Sequence, residues 1–177
     1  MSCLQTLNGI SNSCQPNLGG LKRAFIGNFD NFTVTVDETQ HTVTALTGTS
    51  SAATLYEYQF NRQTGSISSQ LSVDEGNDVR YYTNTANLVF TRMEASKHAE
   101  MEALGRGHLL GIFEDANGKF WLIGADNYMS GSEQTAQSGV AFSDLNGYNT
   151  TWSQISAHLP YEIAYDTFKA LVDGYNG

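Results

Sequence analysis

Glu94, His98 and Glu102 stand four residues apart, so on a helix their side chains line one face. Carboxylate and imidazole at that spacing can ligate a divalent metal if further ligands arrive from elsewhere. Without those ligands the same residues are a solvated helix face. Asp74, Glu75 and Asp78 offer oxygens to calcium, but they lack the ligand spacing of an EF-hand loop and read as a solubilising hairpin tip. The run Gly105-Arg106-Gly107-His108-Leu109-Leu110-Gly111 comes near a dinucleotide fingerprint, yet it follows a helix and opens a strand, the reverse of the required context. His41 and His158 sit in polar strands without a nucleophile partner and read as surface residues. There is no Gly-x-Ser-x-Gly elbow and no Walker loop. Sequons at Asn31 and Asn149 carry meaning only in a secreted chain. Trp121 and Trp152 read as core or interface, with a sugar-stacking platform as the alternative use of the aromatics. No catalytic, cofactor-binding or metal-ligating residue is assigned, and an enzyme is not expected.

The elements that would position these residues are mostly strands. The chain has 177 residues, which suits one domain, and 40% hydrophobic residues suffice for a core. Charged residues reach only 15%, and the polar surface is supplied by Thr, Ser and Asn, with 17 Gly and 2 Pro. That is a β-rich composition. The net charge of −9, with no basic run, disfavours tight nucleic-acid binding by counterion release. The longest apolar stretch, Phe120-Trp121-Leu122-Ile123, is far too short to span a membrane. Residues 1–20 show no secretory pattern, so Cys3 and Cys14 are expected as reduced thiols, with a bridge between them as the alternative.

Gly9, Pro16, Gly19 and Gly20 punctuate an extended arm over residues 1–20, followed by one domain over 21–177. Strands are expected at Leu21–Gly27, Phe32–Val36, Thr42–Leu46, Leu55–Phe60, Ser66–Val73 and Val79–Phe90, the last two forming a long hairpin. Thr91-Arg92-Met93-Glu94 matches a capping box and predicts a helix over about 92–105, with Met93, Met101 and Leu104 on one face and Ala95, Ala99 and Ala103 on another. Gly105 or Gly107 would end it. His108–Glu114 and Lys119–Gly124 flank Asn117-Gly118, a hairpin signal. Residues 126–147 predict a strand with a loop around Thr135–Gly139, then a strand over Gly147–His158. The tail reads as a strand at Tyr161–Tyr165 and a short helix at Thr167–Val172. The fold class is mainly β, an antiparallel β-sandwich or barrel with one helix.

Between Gly107 and Phe168 the only base is Lys119, whereas residues 120–177 hold Asp126, Glu133, Asp144, Glu162, Asp166 and Asp173. Such a surface repels DNA, a property suited to a conduit through which DNA slides, although plain solubility explains it as well. Four blocks in order carry a resemblance. They are Cys14 leading into Gly19-Gly20-Leu21-Lys22-Arg23-Ala24-Phe25-Ile26; Leu88 to Lys97; Leu109 to Gly124; and a Gly/Ser/Thr loop before Ser143-Asp144-Leu145-Asn146-Gly147-Tyr148. Together they resemble small structural proteins of tailed bacteriophages, the tail-tube and tail-ring subunits of Bacteroidetes and crAss-like phages.

That resemblance implies a tail-tube-like sandwich whose subunits join edge to edge in a 6- or 12-fold ring. The lumen would be lined by strands, and DNA would pass without specific binding. The arm (residues 1–20) and loops near 61–80 and 127–140 would reach a neighbouring copy or a neighbouring tail, ring or portal-proximal protein. It also implies a virion protein made in the bacterial host cytoplasm. The alternative is a carbohydrate-binding β-sandwich of the adhesin type, whose aromatics would form an exposed platform.

Overall fold

The strands form two sheets, each with a face that must leave water. The computed structural model describes residues 7, 9–12, 14–49 and 51–175, with side chains as far as Ala170. In chain order the elements are β1 (Leu21–Asn28), a short 3-10 turn (Phe29–Asn31), β2 (Phe32–Asp37), β3 (Thr42–Gly48), β4 (Tyr56–Tyr58), β5 (Ser66–Asp74) and β6 (Val79–Thr91). Next come α1 (Ala95–Arg106), β7 (Leu109–Asp115), β8 (Phe120–Ile123), β9 (Ser130–Gln137), β10 (Gly147–Ser156), β11 (Tyr161–Ile163) and α2 (Tyr165–Tyr175). A seven-stranded sheet has the order β2-β3-β11-β8-β7-β1-β4, and a four-stranded sheet the order β5-β6-β10-β9. Both have open edges, so the molecule is a sandwich and not a closed barrel. All pairings are antiparallel except β11 with β3.

The centre of the larger sheet is buried on both faces. Ala24, Ile26, Leu109 and Phe113 turn to the smaller sheet, where Leu88, Phe90, Tyr148 and Trp152 meet them. Their chain neighbours Phe25, Leu110 and Ile112 turn the other way, towards Phe32, Leu46, Leu122 and Phe168. Phe168 of α2 stacks on Phe120 with ring centroids 4.4 Å apart and meets Phe25 edge-on at 4.9 Å. Two-sided burial is why β1 and β7 read as continuous apolar runs. The smaller sheet keeps its outer face wet.

The β7–β8 turn is built as its Asn-Gly pair implies, though only Gly118 (φ +80°) is left-handed. Gly118 N–H donates to Asp115 O at 3.1 Å, and the Asp115 carboxylate accepts from Asn117 and Lys119 amides at 2.8 and 2.9 Å. That is a turn followed by a glycine bulge, a common three-residue hairpin loop.

Four expectations are corrected. The helix begins at Ala95, not near residue 92, and the capping box does not form: Thr91 closes β6, and Glu94 is the N-cap without a side-chain capping bond. Arg92 (φ +66°) turns the chain instead, while Asn146 accepts the Arg92 amide through its backbone oxygen at 2.6 Å and the Met93 amide through its side chain at 3.1 Å. A tertiary contact sets this helix start, and Gly107 ends the helix in an extended conformation. Thr135–Gln137 belong to β9, so the loop lies at 138–146. In the tail, the strand stops at Ile163 and α2 starts at Tyr165.

Candidate functional site

The residues singled out for metal chemistry are engaged otherwise. Glu94 precedes α1, and its carboxylate pairs with Arg92 at 2.9 Å and Lys97 at 3.7 Å. His98 lies edge-on to Tyr148 at 5.4 Å, and Glu102 is exposed. Among the described residues no group of three or more His, Cys, Asp or Glu side chains could hold a metal ion. The Asp74 carboxylate folds the β5–β6 tip: it accepts from the Gly76 amide at 3.0 Å and the Asn77 side chain at 2.6 Å. The Asn77 bond is the main reason its carboxyl lies below the usual aspartate value.

His41 and His158 are not strand residues on an open surface. His41 (φ +57°) lies between β2 and β3, stacked on Tyr161 at 4.4 Å, with its Nε2 2.9 Å from Leu159 O. His158 follows β10, its ring centroid 6.4 Å from that of His41. Both are half-buried. Burial and the charges of Asp126 and Glu38 push the Tyr161 phenol up. Trp152 is core, 1% exposed, with Nε1 donating to Leu104 O at 3.4 Å, whereas Trp121 is half-buried and donates to Asp115. Cys14 is exposed and free, and Cys3 lies outside the described residues.

One polar cluster has no counterpart among the sequence expectations. Where the inner face of the smaller sheet runs past the apolar core, Asn84, Gln154 and Ser156 replace hydrophobic residues and are 1%, 3% and 5% exposed. Asn84 donates to Gln154 and His158 O at 3.2 and 3.0 Å and accepts from Ser69 at 2.7 Å. Asp126 accepts from Gln154 at 2.8 Å and Ser156 at 2.7 Å. No buried side-chain polar atom among the described residues lacks a partner. The cluster braces the end of the sandwich and leaves no free group for chemistry.

The surfaces available for recognition are therefore the sheet edges and the loops that flank them. Strand β5 is an edge over nine residues and β9 over eight. Beyond the last β10 pairing, Ser156 with Tyr82, the β5–β6 hairpin continues alone and exposes Val73 (50%) and Val79 (42%), with Leu71 (49%) exposed at the row of that pairing. Rows across the outer face read Ser66–Asn87–Thr151–Glu133 and Ser68–Thr85–Ser153–Ser130. The four strands contain one base, Arg80, and it sits on the overhanging part. At the opposite end, loop 138–146 holds Val140 and Phe142 wholly in solvent. A cavity of about 560 Å³ lies beside the start of β5, lined by Leu18, Leu21, Lys22, Phe60 and Arg62.

These features define an open-edged, two-sheet β-sandwich whose smaller sheet has an outer face of Ser, Thr and Asn with Glu133 and no base, and in which no group among the described residues could hold a metal ion. No protein-family model matches the chain, and neither a curated protein nor a solved structure matches it. No helix among the described residues is long and apolar enough to cross a membrane.

Proposed function

We propose that the protein is a structural subunit of a phage tail that joins copies of itself into a ring or tube around a DNA conduit. The observation that carries this reading is the four-stranded sheet, open along both edges and nearly free of cations on its outer face. Long unpaired edges invite pairing with another chain, and a cyclic assembly joined through this sheet would pair both of its edges. A face of Ser, Thr and Asn with Glu133 and no base gives phosphates nothing to release counterions against, so DNA would pass without adhering. The resemblance of the ordered sequence blocks to those of tail-tube and tail-ring subunits supports the same reading, which would bring neighbouring tail proteins as further partners and the virion as its location.

A carbohydrate-binding sandwich is the weaker reading. Its stacking platform would need clustered aromatics, whereas the exposed ones, Tyr56, Tyr128, Phe142 and Tyr165, lie on separate segments. Electron microscopy of the purified protein over a concentration series, with mass measured alongside, tests the choice. Rings or tubes with a central hole are expected, and their symmetry is read directly. A monomer that binds on a glycan array, with no ring at any concentration, would overturn the tail reading.

A further inference from the structure

We propose that loop 138–146 is a knob that seats in the Leu18–Phe60 cavity of a second copy of this chain. The proposal rests on the ring reading and names the contact that would close it. The knob is preformed. One oxygen of the Asp144 carboxylate accepts the Val140 and Ala141 amides at 2.9 and 2.8 Å, and the Asp144 amide donates to Ala141 O at 3.0 Å. The ordering cost of this loop is therefore largely met within the monomer. What it displays is apolar: Val140 and Phe142 are fully exposed and touch nothing that would explain their residue types.

The cavity is complementary in shape and charge. Its volume of about 560 Å³ lies in the range of pockets that enclose small ligands. Phe60, Leu18 and Leu21 give it an apolar wall, Lys22 and Arg62 stand at it, and no acid lines it. Loop 138–146 contains Asp144 and no base. An aromatic anchor in an apolar pocket, bordered by one anion and two cations, is the arrangement that holds specific interfaces together.

Position selects a neighbouring copy as the occupant. Strand β9 ends, and β5 begins, at the same end of the sandwich, on opposite edges of one sheet. The β9 edge, from which the knob leaves, and the β5 edge, beside the cavity, are three inter-strand spacings apart, about 14 Å. Rotation about an axis along the strands preserves strand direction. The β9 edge of one copy then meets the β5 edge of the next antiparallel, continuing the alternation within the sheet, and brings knob to cavity. The contact is heterologous, so it propagates from copy to copy and gives a ring where the rotation closes.

The test uses the full chain with Cys3→Ser and Cys14→Ser, carrying Phe142→Cys and, at a position that lines the cavity, Gln63→Cys, under conditions where the unaltered protein assembles. A short bismaleimide is expected to give a ladder of covalent oligomers ending at the ring. Phe142→Asp, at a fully exposed position, is expected to weaken association about thirtyfold with an unchanged melting temperature. Arg62→Glu should weaken it as well. Rings that form undiminished with Phe142→Asp and give no ladder overturn this seating while leaving the ring reading intact. Bridging of the single Phe142→Cys variant to itself overturns it in favour of a two-fold contact. A chain that stays monomeric and unbridged at millimolar concentration overturns both.

Discussion

Asn84 shows how much one polar residue can decide. It occupies an inward position in the alternation of β6, two residues before Ala86 and four before Leu88, yet it binds Ser69, Gln154 and the His158 carbonyl. From sequence, Asn84 is indistinguishable from the outward Asn87, because nothing in a period of two says where the apolar core ends. Asn84→Leu, of similar size, would leave the Gln154 and His158 oxygens buried without a donor. It is expected to cost about 2–4 kcal/mol in urea unfolding, against less than about 0.5 kcal/mol for Phe142→Ser in solvent. Asp144 makes a second prediction. Amides of Ala141 and Val140 hold its carboxyl below the usual value, so the cap is intact above the ordinary aspartate pKa of about 3.9 and is lost as pH falls through the lowered one. In an NMR titration the Val140 and Ala141 amides should move together, with a shared midpoint under about 3.9. A midpoint at or above that value would contradict the cap.

Among elements, the β5–β6 hairpin was legible almost to the residue, Ser66–Asp74 and Val79–Thr91 against the expected Ser66–Val73 and Val79–Phe90. Its alternation is long, and an acidic turn divides it. The start of α1 was not legible, because it depends on Asn146, which is distant in sequence. The β9 boundary failed for a related reason: Thr135-Ala136-Gln137 carries no apolar alternation of its own and is a strand through pairing with β10. At Gly147 a Cβ would fall 2.0 Å from Phe90 O, so only glycine lets the loop rejoin the sheet this closely. The arm is fastened at its base: Asn117 accepts the Leu18 amide at 2.9 Å and donates to Leu18 O at 3.1 Å, while Leu7 and Ile10 stand in solvent. Deleting residues 1–16 is accordingly expected to leave the melting temperature within a few degrees of wild type while abolishing the stacking of rings. Normal tubes from the truncated protein would refute a role for the arm in stacking.

For the whole molecule, the sequence disclosed composition, charge and the run of strands, enough for a mainly β sandwich carrying a net charge of −9. It did not disclose which strands share a sheet, because pairing partners are chosen by three-dimensional packing and not by local pattern. Nor did it mark the cavity beside β5, whose lining comes from the arm base, the start of β1, the segment after β4 and the β7–β8 turn. The exposed Phe142 was visible only as one aromatic among many.

The place of β11 has a bearing on biosynthesis. Tyr161–Ile163 lies between β3 and β8, and among the described residues no other strand bridges them. Until that triplet leaves the ribosome, β2-β3 and β8-β7-β1-β4 are two separate sheets with two additional raw edges. The nascent chain must hold these long-range partners apart until its closing strand arrives, which makes folding slow and late. A chain that stops before Tyr161 accordingly lacks the seven-stranded sheet from which the arm and the cavity wall project.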